Sequence, residues 1–453
     1  MSSRAHQAVA PLYLLACLLL GGSAQGIWAN MVLQLAGLAI IAWAAVVHAD
    51  EPMSPQMQQL LGLVVAAIAL VIVQALPLPP PVWAHLGGRQ VISHGYAILG
   101  VPKPWLPLSV TPYASLDNLL GLIPPLALFC AISRLDAYRR SWLVASLLTG
   151  LIAGILLGAL QVSSGNSDAS TWYLYPESTF GVATGFFANG NHMATLLVVA
   201  LPFLAALYAF ARGGSRQRSL SILGVAAGVA LLIFVGIVLN RSLAAYGLTP
   251  PVLAASALIV LGDRSKWRRW TLAATALLFV GAVAALASSS IRSADFQSDS
   301  ATAVQTRHEM LVTTSKAVRN FMPWGSGVGS FKAVYQLYED PARVTDTYVI
   351  HAHNDYVELA LETGVPGIFL LILFLAWWGR ASWRAWRLDG GAYARAASIA
   401  SGAILVHSLV DFPLRTAAIS TVFAMCLALL IQRTPAPTRT PSDLRETRHV
   451  VIS

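Results

Sequence analysis

Apolar runs of about the length that crosses a lipid bilayer recur along the whole of this 453-residue chain. A membrane-spanning helix needs about 20 predominantly apolar residues, because the hydrocarbon core is about 30 Å thick and each helical residue adds about 1.5 Å. Runs of this kind lie at 8–22, 30–49, 58–76, 117–133, 141–161, 192–211, 219–239, 243–262, 270–289, 356–379, 396–414 and 416–432. The pattern predicts an all-α integral membrane protein with about twelve transmembrane helices.

The composition also indicates a membrane protein. Hydrophobic residues make up 56% of the chain and charged residues 11%, whereas soluble domains carry about 25% charged residues. The first run has a basic start and a short apolar stretch, as signal peptides do, but we interpret it as a first, short transmembrane helix because many runs follow. Cys17, Cys130 and Cys426 lie far apart inside apolar runs, so neither a disulfide framework nor a metal-binding spacing is visible.

Basic residues are concentrated in alternate segments between the apolar runs. The segments that hold Arg4, Arg134 and Arg212 belong to this set, which continues to the C-terminal tail and contains most of the 29 lysines and arginines. Because positively charged loops stay on the cytoplasmic side, we expect both termini to be cytoplasmic and the other loops to face outward. This distribution accounts for the net charge of +9 without nucleic acid as a partner.

The organisation that we expect has four parts. Residues 1–289 form transmembrane helices 1–9, residues 290–355 form a large outward loop between helices 9 and 10, residues 356–432 form helices 10–12, and residues 433–453 form a disordered tail. In the large loop, apolar and polar residues alternate at helical spacing up to Phe321, where Pro323 and a glycine-rich stretch end the helix. We expect an ordered cap over the bundle, with "PWGSGVGSF", the glycine turn (323–331), as a tight turn. It lacks the lysine of a nucleotide-binding loop.

Two arginines on the outward side are candidates for binding an anionic ligand. Arg241 lies between two apolar runs, where an arginine either snorkels to the interface or pairs with an anion. Arg307 begins the amphipathic stretch of the large loop and is, taken alone, an ordinary solvated arginine. If the two converge, their guanidinium groups match the oxygens of a diphosphate.

Three polar groups stand at the starts or ends of apolar runs, and the first and the last of them have two interpretations each. In "GFFANGNHMATLL", Asn189, Asn191 and His192 either cap a helix or line an outward-facing polar cavity. In "HAHNDYVELALETGVPG", Asp355 and Glu358 have the form of an acidic helix start, and Gly364 with Pro366 predicts a kink or a stop before the next span. In "VHSLVDFPLR", His407 and Asp411 are four residues apart and are expected to face each other on one helix, as a functional or a structural pair.

His353 and Asn354 suit a general base or a hydrogen-bonding group for a sugar hydroxyl. The spacing His351-x-His353 also suggests zinc, but no further ligands stand at a known spacing.

Together these motifs resemble the O-antigen ligase family, which includes O-antigen ligases, polysaccharide polymerases and some protein O-oligosaccharyltransferases. The family signature is His followed by Asn, Ser or Gln, nine residues, and then G-x-x-[GTY]. His353-Asn354 and the stretch from Gly364 to Gly367 fit it without a gap. The glycine turn, "NGNHMATLL", "HSLVDFPLR" and Arg307 also match. Arg241 stands where the family usually has Ser-Arg-Gly, although here Asn240 and Ser242 flank it.

The resemblance implies a bacterial inner-membrane glycosyltransferase with a periplasmic active site that needs no metal or cofactor. Such enzymes transfer a glycan from undecaprenyl diphosphate to an acceptor hydroxyl, on a lipid A core sugar for a ligase or on another lipid-linked glycan for a polymerase. His353 is then the catalytic residue, and Arg241 and Arg307 bind the diphosphate. The supporting or substrate-binding residues are Asn354, Asn189, Asn191, His192, Asp355, Glu358, His407 and Asp411. The alternatives are a protein O-oligosaccharyltransferase and a transporter of lipid-linked glycans.

Overall fold

The computed structural model of the chain describes residues 3–47, 52–165, 170–212, 215–262, 267–287, 299–344, 348–388 and 390–432. The tail predicted to be disordered, 433–453, and the first part of the large loop, 290–298, lie outside the described residues. Apart from two short strands, β1 (Pro77–Leu78) and β2 (Leu106–Pro107), which pair antiparallel, the regular structure of the described residues is helical.

Eighteen α-helices account for this structure. They are α1 Ser3–Gln7, α2 Val9–Leu20, α3 Ile27–Val47, α4 Pro55–Ala75, α5 Pro80–Trp83, α6 Gln90–Ile98, α7 Pro112–Leu120, α8 Ile123–Ser133, α9 Arg140–Ser163, α10 Gly190–Ala211, α11 Arg216–Asn240, α12 Leu243–Leu261, α13 Arg268–Ala287, α14 Asp299–Phe321, α15 Phe331–Tyr338, α16 Asp355–Arg387, α17 Gly391–His407 and α18 Ala417–Ile431. Short 3₁₀ turns lie at Pro341–Arg343 and Pro413–Arg415.

Eight helical segments among the described residues are long and apolar enough to cross a membrane, by length and composition. They are α3, α4, α7 with α8, α9, α10, α11, α12 and α16. Arg4–Leu20 and α18 are shorter apolar helices. A helix overlaps each of the twelve predicted runs, and the class of an all-α membrane protein is confirmed. The number of twelve spans and the side on which the large loop lies stay predictions.

Helix α10 lies at the centre of the bundle. In its most apolar stretch 72% of the residues are buried, against 17% in α11, and it packs against α11, α12 and α17. Its sequence is apolar on every face, which is typical of a helix surrounded by others. The outward side chains of the peripheral helices, such as Leu231 and Ile27, are exposed and apolar, as a lipid-facing surface requires.

The predicted kink is present in α16, and the glycine turn forms hydrogen bonds with it. Gly364 has φ 60° and ψ −151° inside this helix, a conformation that essentially only glycine adopts. The N–H of Val365 donates to the carbonyl of Pro323 at 2.8 Å, and the N–H of Gly327 donates to that of Glu362 at 2.9 Å. A Cβ atom at Gly364 would collide with the Pro323 carbonyl. The break therefore docks the large loop onto the start of α16.

The described part of the large loop is ordered and lies on α16. Helix α14 ends at Phe321, where the sequence predicts its end, and it packs against α16. Ala317, Phe321, Phe331 and Leu361 belong to a small apolar core of their own. This layer carries Arg307 and leads into His353, so its docking decides where both side chains lie.

Candidate active site

Side chains from three separate parts of the chain converge on Asp411. This aspartate lies in the turn between α17 and α18 and is fully buried. Its Oδ1 lies 3.7 Å from His353 Nδ1 and 3.9 Å from His192 Nε2, and its Oδ2 lies 3.9 Å from Arg307 Nη2. We call these four residues the Asp411 cluster. All four were predicted as site residues, and the fold brings them together.

The prediction that His407 and Asp411 face each other on one helix is wrong. Helix α17 ends at His407, and Asp411 lies in the tight turn that follows, with its N–H donating to the His407 carbonyl at 3.0 Å. The buried His407 places Nδ1 2.8 Å from the hydroxyl oxygen of Thr195 on α10. A separation of four residues suits both a helix and the turn that ends it, which is why the spacing alone misled.

The ring of Phe412 packs against three imidazole rings. Its centroid lies 5.1 Å from that of His192, 4.3 Å from that of His351 and 4.9 Å from that of His353. Its backbone N–H also donates to Asp411 Oδ1 at 2.8 Å. Aromatic rings at such distances pack favourably, so Phe412 gives the three histidines a common packing surface. Nothing in the sequence singled it out.

His353 is the residue before the N-cap of α16. Its φ of 49° lies in the left-handed region that non-glycine residues seldom adopt. Asn354 is the N-cap: its Oδ1 accepts hydrogen bonds from the N–H groups of Tyr356 and Val357 at 3.0 and 3.1 Å. Its Nδ2 donates to the Leu409 carbonyl at 2.9 Å. The capping interactions of Asn354 account for its position, and they fix the backbone next to His353.

The surroundings of His353 favour a neutral imidazole. Burial lowers the pKa of His353 below its ordinary value of 6.5, an effect that the Asp411 carboxylate opposes and the Arg307 guanidinium reinforces. A neutral imidazole has a free lone pair at neutral pH, which a general base requires.

A second group, the Arg415 cluster, lies beside the first and comprises the buried Glu358 and Glu362 with the partly buried Arg415 and Asp355. Arg415 Nη2 lies 3.2 Å from Glu358 Oε1 and 3.6 Å from Glu362 Oε2, and its Nε lies 3.4 Å from Asp355 Oδ1. Ser408 also donates to Asp355 Oδ2 at 2.8 Å. Asp355 and Glu358 do stand in the first turn of α16, as predicted, but they pair with an arginine. Arg415 was not among the predicted site residues; its position next to an apolar run that already contains Asp411 is the signal that points to it.

The asparagines near α10 have structural partners. Asn189 caps the helix by accepting from the N–H of Asn191 at 2.8 Å, and Asn191 Oδ1 accepts from the Ser242 hydroxyl at 2.9 Å. Asn240 donates to the Gly190 carbonyl at 2.7 Å. The capping interpretation of Asn189 is therefore confirmed.

The backbone at Arg241 lies beside the first turn of α10, which carries His192 of the Asp411 cluster. Its two neighbours in sequence both bind the first turn of α10, which carries His192. Arg241 itself ends α11 with φ 58°, its side chain is exposed, and it forms no ion pair within the described ranges. Its convergence with Arg307 stays a prediction.

Buried polar atoms without a hydrogen-bond partner gather in this region. Among the residues that the structure describes, they include both ring nitrogens of His192, Nδ1 of His353, Nε2 of His407 and Oδ2 of Asp411. Buried polar atoms are normally paired, and a concentration of exceptions is typical of functional sites. No group of three or more His, Cys, Asp or Glu in the described part of the chain is arranged to hold a metal ion.

Comparison with known proteins agrees with the motifs. Residues 203–372 match the family model described as O-antigen ligase, a range that contains Arg241, Arg307 and His353 and ends before Asp411. No curated protein matches the chain. The match shows that residues 203–372 of this membrane protein are similar to the O-antigen ligase family.

Proposed function

We propose that this chain is a bacterial inner-membrane glycosyltransferase that transfers a glycan from undecaprenyl diphosphate to an acceptor sugar hydroxyl on the periplasmic side. It acts as an O-antigen ligase or as an O-antigen or exopolysaccharide polymerase. The observation that carries the proposal is the convergence of His353, His192 and Arg307 on the buried Asp411, at 3.7 to 3.9 Å.

His353 acts as the general base. Its Nδ1 is buried and lies toward Asp411, which leaves Nε2 for the acceptor hydroxyl. Nε2 takes the hydroxyl proton while the acceptor oxygen attacks the anomeric carbon of the donor. The bond between that carbon and the phosphate oxygen breaks, and the diphosphate leaves with the electron pair. Asp411 stabilises the imidazolium that forms and orients the ring.

The arginines bind the diphosphate. Arg307 lies 3.9 Å from Asp411 with 33% of its side chain exposed, so this loose contact leaves most of its five N–H donors available. Arg241, exposed beside the first turn of α10, supplies a second guanidinium. Two such groups stabilise the charge that develops on the leaving diphosphate. The donor carries its own driving force, so the transfer needs no nucleotide.

The distribution of ionisable groups favours an enzyme over a transporter of lipid-linked glycans. A transporter of this size is expected to bind its cargo near the middle of the bundle. Here the two clusters lie at the start of α16 and in the turn after α17. A protein hydroxyl is a further acceptor, which makes protein O-oligosaccharyltransfer the alternative activity.

The test is the surface-glycan profile of a deletion strain that expresses the wild type, His353→Ala, Arg241→Ala or Arg307→Ala at equal levels. His308→Ala and Arg319→Ala are matched controls, because both side chains are exposed on α14. If the three variants lose long glycan on lipid A core while lipid-linked chains accumulate, the protein is a ligase. Loss of polymer, with single repeats remaining, indicates a polymerase. Normal glycans in all three variants would refute the site and favour transport.

A further inference from the structure

The carboxylate of Glu358 binds the two residues that precede His353. Its carboxylate is 1% exposed, and Oε1 lies 2.8 Å from His351 Nδ1. Oε2 accepts the N–H of Ala352 at 2.8 Å. A single carboxylate on the first turn of α16 therefore holds residues 351 and 352 against the helix that they precede.

These hydrogen bonds fix the backbone next to His353, where the chain has an uncommon conformation. His353 is left-handed at φ 49°, and a free chain seldom adopts that conformation at a residue with a side chain. Asn354 fixes the backbone on one side by capping α16, and Glu358 fixes it on the other. His351 and His353 then both pack on Phe412, at 4.3 and 4.9 Å between ring centroids.

We propose that Glu358 is a positioning residue, which directs His353 toward Asp411 by holding His351 and Ala352. The inference rests on the proposed role of His353 as general base. It goes further by giving the first of the two histidines a function: His351 is the side chain through which Glu358 fixes the loop.

The competing explanation is that Glu358 only balances the charge of Arg415, 3.2 Å away. Glu362 separates the two explanations, because it is equally buried, one turn further along α16, and lies 3.6 Å from the same arginine. Its Oε1 accepts the N–H groups of Gly329 and Phe331 at 2.9 and 3.3 Å. It thus holds the glycine turn, and no hydrogen bond joins it to residues 351–353 in the described structure.

The test compares Glu358→Gln with Glu362→Gln in purified protein given a lipid-linked glycan donor. An amide keeps the shape but replaces one oxygen with an NH₂ group, so either the Ala352 contact or the contacts to His351 and Arg415 are lost. Since a positioned general base contributes about 10²- to 10⁴-fold, we expect kcat to fall at least about tenfold in Glu358→Gln with an unchanged KM for the donor. Glu362→Gln keeps every hydrogen bond to residues 351–353 and disturbs the glycine turn instead, so any loss of kcat in this variant should come without a change at Ala352.

Hydrogen exchange gives a readout that does not depend on activity. Exchange in the peptide that contains Ala352 should accelerate in Glu358→Asp, whose shorter side chain withdraws the carboxylate from residues 351 and 352, and stay at the wild-type rate in Glu362→Gln. Glu358→Asp, which keeps the charge beside Arg415 but shortens the reach, covers the case in which the amide variant does not fold. It should lose kcat as Glu358→Gln does.

The outcomes distinguish this inference from the proposed function. If His353→Ala is inactive while Glu358→Gln or Glu358→Asp keeps wild-type kcat, the positioning role is refuted and the general base stands. Equal losses of kcat in the Glu358 and Glu362 variants, with equal hydrogen exchange at Ala352, would also refute it and would show that Glu358 only pairs with Arg415. If His353→Ala is fully active, the proposed function itself fails.

Discussion

Asp411→Asn removes the charge on which the cluster converges and keeps its shape. The amide oxygen still accepts the N–H of Phe412, which now bonds to Oδ1 at 2.8 Å, and the side chain stays of equal size. What changes is the interaction with His353, whose Nδ1 lies 3.7 Å from that oxygen. The variant therefore tests the charge of Asp411 separately from its packing.

The magnitude follows from Coulomb's law. Two unit charges about 4 Å apart attract by about 4 kcal/mol at an effective dielectric constant of about 20. In the proposed mechanism His353 is neutral before the reaction and positive in the transition state, so this attraction arises mostly as the reaction proceeds. The His353 side chain is 24% exposed, and solvent reduces the figure to about 2–3 kcal/mol. We therefore expect kcat to fall about 30- to 150-fold at about 1.36 kcal/mol per tenfold.

The assay is glycan transfer by purified protein across a pH series, with thermal unfolding as the control for folding. Because the carboxylate raises the pKa of His353, its removal should move the acid limb of the kcat profile to lower pH while the plateau falls. An unchanged plateau in a folded variant would refute the role of Asp411. A lower plateau with an unmoved acid limb would show that Asp411 acts through a group other than His353.

The pKa of His353, the conformation of Gly364 and the guanidinium of Arg307 can each be tested alone. In the wild type, burial holds the pKa of His353 below 6.5, so the neutral base persists at slightly acid pH. Activity should fall with a midpoint below pH 6.5, and a midpoint above it would contradict the buried position of the ring. Gly364→Ala forces a side chain into a glycine conformation and against the Pro323 carbonyl. The substitution should lower the free energy of unfolding by about 1–3 kcal/mol or more and reduce transfer. Gly379→Ala is the control, because its Cβ would meet open space on the same helix, and it should leave thermal unfolding unchanged. Equal effects of the two substitutions would refute the docking role of Gly364. Arg307→Lys keeps the charge but loses the forked donors, so the KM for the donor should rise, and an unchanged KM would remove Arg307 from diphosphate binding.

Local features of the fold were predictable because their causes are local. The end of α14 at Phe321 and the kink at Gly364 follow from proline and glycine chemistry within a few residues. The apolar runs locate helices for the same reason, since a bilayer or a buried bundle imposes one length and one composition.

The clusters were not predictable from periodicity, because they depend on contacts between distant segments. His192 and Asp411 are on opposite sides of the large loop in sequence, and only the docking of α10, α14, α16 and α17 brings their partners together. The motifs identified most of the residues but no distances between them. Phe412 was missed because no local pattern says which side chain will contact three imidazoles. The place of Arg415 beside an apolar run that contains Asp411 was a signal, but it does not say that the side chain contacts three carboxylates.

Glycan transfer is tested by the fate of the donor in proteoliposomes that contain the purified chain, an undecaprenyl-diphosphate-linked glycan and an acceptor glycan. We predict that free undecaprenyl diphosphate appears in equal amount to the glycan joined to the acceptor, and that His353→Ala abolishes both. Movement of an intact donor across the bilayer, with no free undecaprenyl diphosphate, would contradict the account and make the protein a transporter.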